Sequence, residues 1–480
     1  MSESHYSPRL RTALVLTGTG TAGAYHAGAL QALHEAGIKI DLVAGRGMGV
    51  PGALFAAVDG GSHLWGPRGL WRGASSLRFY RFRLSLRVTG WLFGVALAIL
   101  LAPLGLLAGL VLVYLGGLLA TVAGAGALGA TLAGWFHHSL DVLFAAGAVP
   151  TIVPRLVALA LVAALAVAAL RLLVRPAGRL RRTTGSAWWR IAGAPLSARP
   201  IVSRMTKALW QLIRGAADVA QPAAPEVGRR YAELLTENLG QPGFRELLLT
   251  IHDLDARRDL VFGVLTEPHR SRFFTAPRGL GPAPRAAEAL DMAGVGREYV
   301  LDVLAASLAL PVASESHLLT FPSEGYWRGE THRVSDRPDA LVRVFLEVAA
   351  AGAEQVVVVA DAPVPGEPHA LSSGRADLRG RVGEYLRAAE TAAVRDALLA
   401  AGHLFRGAFE IRPRHNPVGP FDCDGTYDEQ SDRRHGVEEL VDRGYEDAYR
   451  QFIDPIVGAS GDRLAQGGRP PHDPTLRGPA

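Results

Sequence analysis

The chain contains one cysteine, Cys423, in 480 residues. A lone thiol excludes an internal disulfide and a cysteine-based zinc site, and it fits a reducing compartment. Charge is sparse as well. Charged residues make up 20% and the net charge is +5, small for this length. No zinc-finger or RNA-recognition signature is present, so nucleic acid is not an expected partner. The first residues, MSESHYSPRLR, lack the apolar core of a secretory signal peptide. The expectation is a cytosolic N-terminal part. One stretch lacks charge altogether. From Val88 to Phe136, 49 residues, there is no Asp, Glu, Lys, Arg or His. That is more than twice the roughly 20 residues a helix needs to cross a bilayer. No internal repeat is visible.

What is present points to a globular protein with a membrane portion rather than to a disordered chain: 49% hydrophobic residues and a mean hydropathy of +0.16. A second apolar run, Leu156 to Leu170, extends to Thr151–Val174 and can just span. Arg78, Arg81, Arg83 and Arg87 precede the apolar region; Arg171, Arg175, Arg179, Arg181 and Arg182 follow it. The positive-inside rule puts both clusters on the cytoplasmic side, so the number of crossings is even. Two crossings, near 90–113 and 152–174, are simplest, and four are cramped. The Gly/Ala-rich stretch 115–150 is then expected to be re-entrant, interfacial or an irregular hairpin, with His137 and His138 at the interface. The arginine flanks favour membrane lipids with anionic headgroups as partners.

Around this insert the pattern is strand and helix in alternation. Ala13–Leu16 runs into TGTGTAG, and a helix is expected from Ala24 to Ala36. Ile40–Val43 runs into a second glycine turn, and a helix follows from Val50 to Val58, with Pro51 near its first turn, where proline is tolerated. Strand–turn–helix twice over argues for an α/β sheet. Further strands are expected at Asp259–Leu265, Gln355–Ala360 and Phe409–Pro413, and helices at Leu341–Ala351 and Gly380–Gly402. Pro363–Arg375 reads as loop, and the Pro/Gly-rich tail after Arg463 as disorder.

Five motifs then fall in order. The first turn is Gly18-Thr19-Gly20-Thr21-Ala22-Gly23. The second is Gly45-Arg46-Gly47-Met48-Gly49. Ala306-Ser307-Leu308-Ala309-Leu310-Pro311 follows, then Gly325-Tyr326-Trp327-Arg328-Gly329-Glu330, and after a helix Gly352-Ala353-Glu354-Gln355-Val356-Val357-Val358-Val359. This order resembles the patatin-like phospholipase family over roughly residues 12–75 and 190–415. The resemblance implies a three-layer α/β/α domain with a Ser–Asp dyad. It also implies an oxyanion-type first turn, a G-x-S-x-G elbow and an acid carried by D-G-G or D-G-A.

The departures from that pattern decide the expected function. Gly47 stands where the resemblance puts the serine, so no acyl-enzyme can form there. Arg328 aligns with the acid and stays protonated. Ala22 aligns with the arginine of the first turn. The glycines that shape both turns survive, and glycine relieves backbone strain at an elbow that no longer needs a nucleophile. A nucleotide-binding turn is the competing reading of Thr17–Gly23, but it lacks the Walker lysine. Thr17, Thr19, Thr21, Ser307 and His26 are the substitutes nearest the motifs, and a structural role suits each better. Asp59-Gly60-Gly61 and Asp424-Gly425 spell the acid motif at the wrong chain positions. The acidic loop Asp422, Asp424, Asp428, Glu429, Asp432 does not fit a calcium loop and reads as a solvated turn paired with Arg433 and Arg434.

The expected organisation is an N-terminal part of an α/β domain (1–75), a helical transmembrane insert (76–185), the rest of the domain (186–420), and a C-terminal helix with its tail (421–480). The expected protein sits in a bacterial inner membrane with its α/β domain in the cytoplasm. It binds lipid or scaffolds a partner without catalysis, and self-association is open. No cofactor and no metal are expected. An active lipid acyl hydrolase with a relocated nucleophile is the alternative.

Overall fold

A computed structural model describes residues 6–72, 79–173, 194–275, 287–323, 326–364, 377–423, 425–428 and 431–458. The chain divides into two compact units, residues 1–81 with 196–480, and residues 82–195.

The first unit is built on a nine-stranded sheet. Its strands are β1 (Thr12–Thr17), β2 (Leu42–Arg46), β3 (Glu246–Asp253), β4 (Arg258–Val264), β5 (Ala287–Asp291), β6 (His317–Thr320), β7 (Thr331–Ser335), β8 (Gln355–Ala360) and β9 (Gly407–Ile411). Seven of them lie in the order β9-β8-β1-β2-β3-β4-β5; β7 pairs with β3 and β6 with β7. From β9 across to β3 every pair is parallel. The β3–β4, β3–β7 and β6–β7 pairs are antiparallel, and β4–β5 is parallel again. The protein is therefore a mixed α/β fold with a mostly parallel central sheet.

The central strands are buried on both faces, as parallel strands covered by helices must be. The two-residue alternation sorts their side chains into two cores. Leu14, Leu16, Val357 and Val359 face one core, which takes in α1 (Ala22–Glu35), α2 (Gly49–Ala57) and the helices Arg199–Arg214, Ala224–Asn238 and Val437–Ala448. Ala13, Val15, Val356 and Val358 face the other, closed by the helices Leu341–Ala350 and Leu378–Leu404. The result is three layers, helix–sheet–helix.

The helix Val437–Ala448 lies against α1. A Cβ on Gly28 would come within 1.7 Å of the Val441 carbonyl oxygen, and one on Gly444 within 2.1 Å of the Tyr25 carbonyl. The helix is one wall of the main core. The expected loop at 363–375 and the expected tail fall largely outside the described residues.

The second unit is helical: Leu84–Val122, Gly126–Leu143 and Val149–Leu173. The stretch 115–150, expected to be re-entrant, interfacial or part of an irregular hairpin, is mostly helix, with Gly126–Leu143 the middle helix. Tyr114 and Phe136, with ring centroids 4.9 Å apart, join the first two helices. The segment Leu86–Val122 is long and apolar enough to cross a membrane, and Val149–Ala163 is a shorter apolar helix. Trp91, Phe93, Leu104, Leu112 and Leu119 on the long helix are all exposed.

Candidate functional site

Both glycine turns lie at the carboxyl ends of parallel strands, the edge where open α/β sheets place their ligands. β1 ends at Thr17 and leads through Gly18–Thr21 into α1. β2 ends at Arg46 and leads through Gly47 and Met48 into α2. The strand-to-helix reversal at the second turn is tight. Gly47 has φ +56°, a left-handed conformation that glycine adopts at little cost. A sharp strand-to-helix turn of this kind is the form a nucleophile elbow takes, and here it carries no side chain.

The space a nucleophile would need is filled. A Cβ on Gly47 would lie 2.5 Å from the Gly18 carbonyl oxygen and 2.9 Å from Asp336 Oδ2. The amide of Met48 donates to that same Gly18 oxygen over 2.8 Å. In an elbow, the N–H after the nucleophile is an oxyanion donor; here it is used inside the protein. The first turn is covered as well. A Cβ on Gly20 (φ +57°) would sit 1.8 Å from the Pro420 carbonyl oxygen, and Thr21 Oγ1 donates to Gly419 O over 3.3 Å. Ala22 is fully buried at the start of α1, and Gly23 is packed against Trp71.

The carboxylate beside Gly47 is Asp336, the residue directly after β7. Arg328 is not near this position in the chain path: it is exposed, at φ +47°, in the turn between β6 and β7, where Gly329 N–H donates to Pro322 O. Asp336 follows a strand and precedes the helix Leu341–Ala350 and the Val-rich β8.

Asp336 is tied up by the elbow itself. Arg46, fully buried, donates through Nη1 to Asp336 Oδ2 (3.2 Å) and to Arg337 O (2.8 Å). Its Nε donates to Thr17 Oγ1 (3.0 Å) and its Nη2 to Glu390 Oε1 (2.6 Å). Asp361, directly after β8, is a third buried carboxyl close by. Its Oδ1 is 2.8 Å from where a Gly18 Cβ would be. Burial raises the Asp336 carboxyl above its ordinary range even with Arg46 beside it. Burial likewise pushes Glu390 up to about 7, and the nearby Asp336 charge adds to this against the pull of Arg46. Asp361 is raised strongly by burial and by Glu390. Arg387 also acts on Asp361, but burial in a dry interior outweighs both guanidiniums and raises all three carboxyls.

His26, on α1, is wholly buried, with Nε2 2.9 Å from Thr17 O. Burial holds the ring neutral, down to about 4. It is a core residue behind the first turn. Ser307 is also buried and donates to Leu304 O in its own helix. Of the acidic loop, Asp424 and Glu429 lie outside the described residues. Asp428 is buried against His415 and Ser431, and Arg433 pairs with Glu439. Asp428 and Arg433 are register partners in a short antiparallel hairpin, Thr426–Asp428 with Arg433–His435. Among the described residues no three His, Cys, Asp or Glu side chains are grouped to hold a metal.

No family model matches the chain, and no curated protein matches it. Among solved structures it is similar to the crystal structure of VipD from Legionella pneumophila. The identity is 13% and the TM-score 0.32, with 95% of this chain and 69% of that one covered. A likeness this slight carries no argument about activity. The chain is identified by its own sheet as a mixed α/β protein, and the patatin-like resemblance rests on the order of its motifs.

Proposed function

We propose that this is a membrane-inserted, patatin-like protein that has given up hydrolysis and binds lipid or scaffolds a partner at the bilayer. The observation that carries the reading is Gly47. An elbow-type backbone supports no nucleophile, and the room for one is occupied by Gly18 O and by Asp336. The elbow arginine, Arg46, holds the only acid adjacent to that position among the described residues in a buried ion pair. A carboxylate so engaged is poorly placed to take a proton from a hydroxyl. The insert supports placement at a membrane, since one of its helices has the length and composition to cross.

The alternative is a lipid acyl hydrolase with a displaced nucleophile. One feature favours it: Thr19, in the first turn, lies near Glu390, whose carboxyl burial pushes up to about 7. Fluorophosphonate labelling of the detergent-purified chain separates the two readings. The non-catalytic reading expects no adduct beside an active serine hydrolase control. A stoichiometric adduct mapped by mass spectrometry to Thr19 or another hydroxyl would replace it with the hydrolase.

A further inference from the structure

The β6–β7 hairpin meets the central sheet along a short front. β7 pairs with β3 at two register positions, Ser335 with His252 and Val334 with Asp253. The β6 side is anchored elsewhere, to the segment that holds Tyr299 and Asp302. His317 Nε2 lies 2.7 Å from Asp302 Oδ1, and the Tyr299 hydroxyl donates to Thr320 O over 3.1 Å. On β7 the side-chain link to β3 is His332. Its Nδ1 is hydrogen-bonded to Asp253 Oδ2, at the end of β3, and its Nε2 lies 3.2 Å from Glu330 Oε2. His332 and Asp253 are both buried. The rings of Phe321 and Trp327 stand edge-on to the imidazole, at 5.0 and 4.6 Å.

Each ring nitrogen of His332 therefore faces a carboxylate. A neutral imidazole has one N–H and one lone pair, and only the imidazolium donates at both ends. With one proton fewer, one nitrogen would turn its lone pair on a carboxylate oxygen. The surrounding charges agree with the cation. Asp255, in the turn after β3, acts on His332 as well, although Arg333 holds it through Nε and Nη2. On β5, Glu288 accepts from Trp327 Nε1 over 3.0 Å and lies 3.8 Å from Arg258 on β4. Burial pulls the His332 ring down, but its hydrogen bonds to Asp253 and Glu330 outweigh burial and hold it above its ordinary 6.5.

We propose that His332 is a proton-operated clamp that fastens β7 to β3, and that β7 loosens when the ring loses its proton. The grip is full below about 6.5 and is lost as pH rises through the ring's own, higher value. Loosening has a route to the glycine turns. β7 ends at Ser335, and the next residue, Asp336, stands against Gly47. The clamp is independent of the non-catalytic, lipid-binding reading.

Hydrogen exchange of the detergent-solubilised full chain, from pH 6 to pH 8.5, tests the clamp. The quantity read is the exchange of β7 amides relative to β1 amides in the same sample, each corrected for the intrinsic effect of pH. The ratio cancels any loosening of the whole unit, including that set by Glu390, and keeps local opening. In the wild type it should rise as pH rises. In His332→Gln it should be high at pH 6 and flat thereafter, because glutamine carries no titrating charge. Glu330→Gln removes one of the two carboxylates and should move the rise to lower pH. If His332→Gln fails to fold, Glu330→Gln, at an exposed position, carries the test. A flat ratio in the wild type overturns the clamp. So does a rise that persists in folded His332→Gln, or one whose midpoint Glu330→Gln leaves in place.

Discussion

The Met48 amide donates to the Gly18 carbonyl oxygen across 2.8 Å, so the two glycine turns are hydrogen-bonded to each other. A hydrolase needs the opposite arrangement, with donors from both turns converging on a substrate oxygen. Gly47, between them, has its side-chain space taken. Gly47→Ser should therefore not restore an enzyme. It should cost about 1–3 kcal/mol of stability through left-handed strain and crowding, and Gly47→Ala should cost nearly as much. Urea unfolding of both variants checks the cost, and fluorophosphonate labelling of the serine variant checks the chemistry. Esterase activity in Gly47→Ser would show that the turns can open.

Arg46 is the hub of the cluster, bonded at once to Thr17, Asp336, Arg337 and Glu390. Arg46→Leu leaves two buried carboxyls without their cation, and removing one side of a buried pair costs about 3–5 kcal/mol. Adding Asp336→Asn and Glu390→Gln should recover part of that loss. Arg46→Lys should rescue poorly, because an ammonium cannot reach both carboxyls from one planar fork. Chemical denaturation of the three variants orders them. A silent Arg46→Leu would mean the cluster does not hold the elbow.

The same cluster sets a pH dependence. Glu390, pushed up to about 7 by burial, keeps a proton that the unfolded chain releases near 4.5. Its contribution is full below about 4.5 and is lost as pH rises through about 7. His26, held down to about 4 by burial, acts in the opposite sense. Its contribution is full above about 6.5 and is lost as pH falls through about 4. The wild-type profile mixes these two with the raised Asp336 and Asp361 carboxyls, so the informative quantity is the difference from Glu390→Gln. Thermal unfolding from pH 4.5 to 8 should show the wild type losing stability relative to that variant as pH rises. Parallel profiles would place Glu390 in contact with water.

Much of this fold was legible because its strands are short, apolar and β-branched. Gln355–Ala360 is a strand over the expected residues, and the two glycine turns fall where the sequence puts them. Arg46 was visible only as the unassigned residue of a motif. Its role depends on Asp336, Glu390 and Asp361, which come from distant segments and meet only when the sheet forms. Asp336 carries no local signal in the sequence, because its partner Arg46 lies 290 residues away. The helix Val437–Ala448 was set apart because nothing local in its sequence reports that α1 offers Gly28 as a contact face.

That contact yields a test of its own. At Gly28 the two helices meet backbone to backbone, with Tyr445 N 2.8 Å from an added Cβ as well as the Val441 oxygen. Gly28→Ala should force the helices apart, at about 1–3 kcal/mol for overpacking. Hydrogen exchange should then rise over Val437–Ala448 before it rises in β1 or β8. Uniform acceleration across the unit would mean the C-terminal helix does not open independently of the sheet.

The long apolar helix makes a prediction that depends on length. Leu84–Val122 has 39 residues, about 58 Å at 1.5 Å per residue, against a hydrocarbon core of about 30 Å. Its length leaves a surplus of about 28 Å, so one end or both must emerge into headgroups or water, or the helix must tilt or bend at Pro103. Single cysteines can map the buried part in a Cys423→Ala background. In proteoliposomes, cysteines near Leu104 should resist a membrane-impermeant maleimide over roughly 20 consecutive positions, while those near Arg87 or Val122 react. Reaction along the whole helix would mean that its exposed Trp91, Leu104 and Leu112 face something other than lipid. The insert would then be a protein-binding arm.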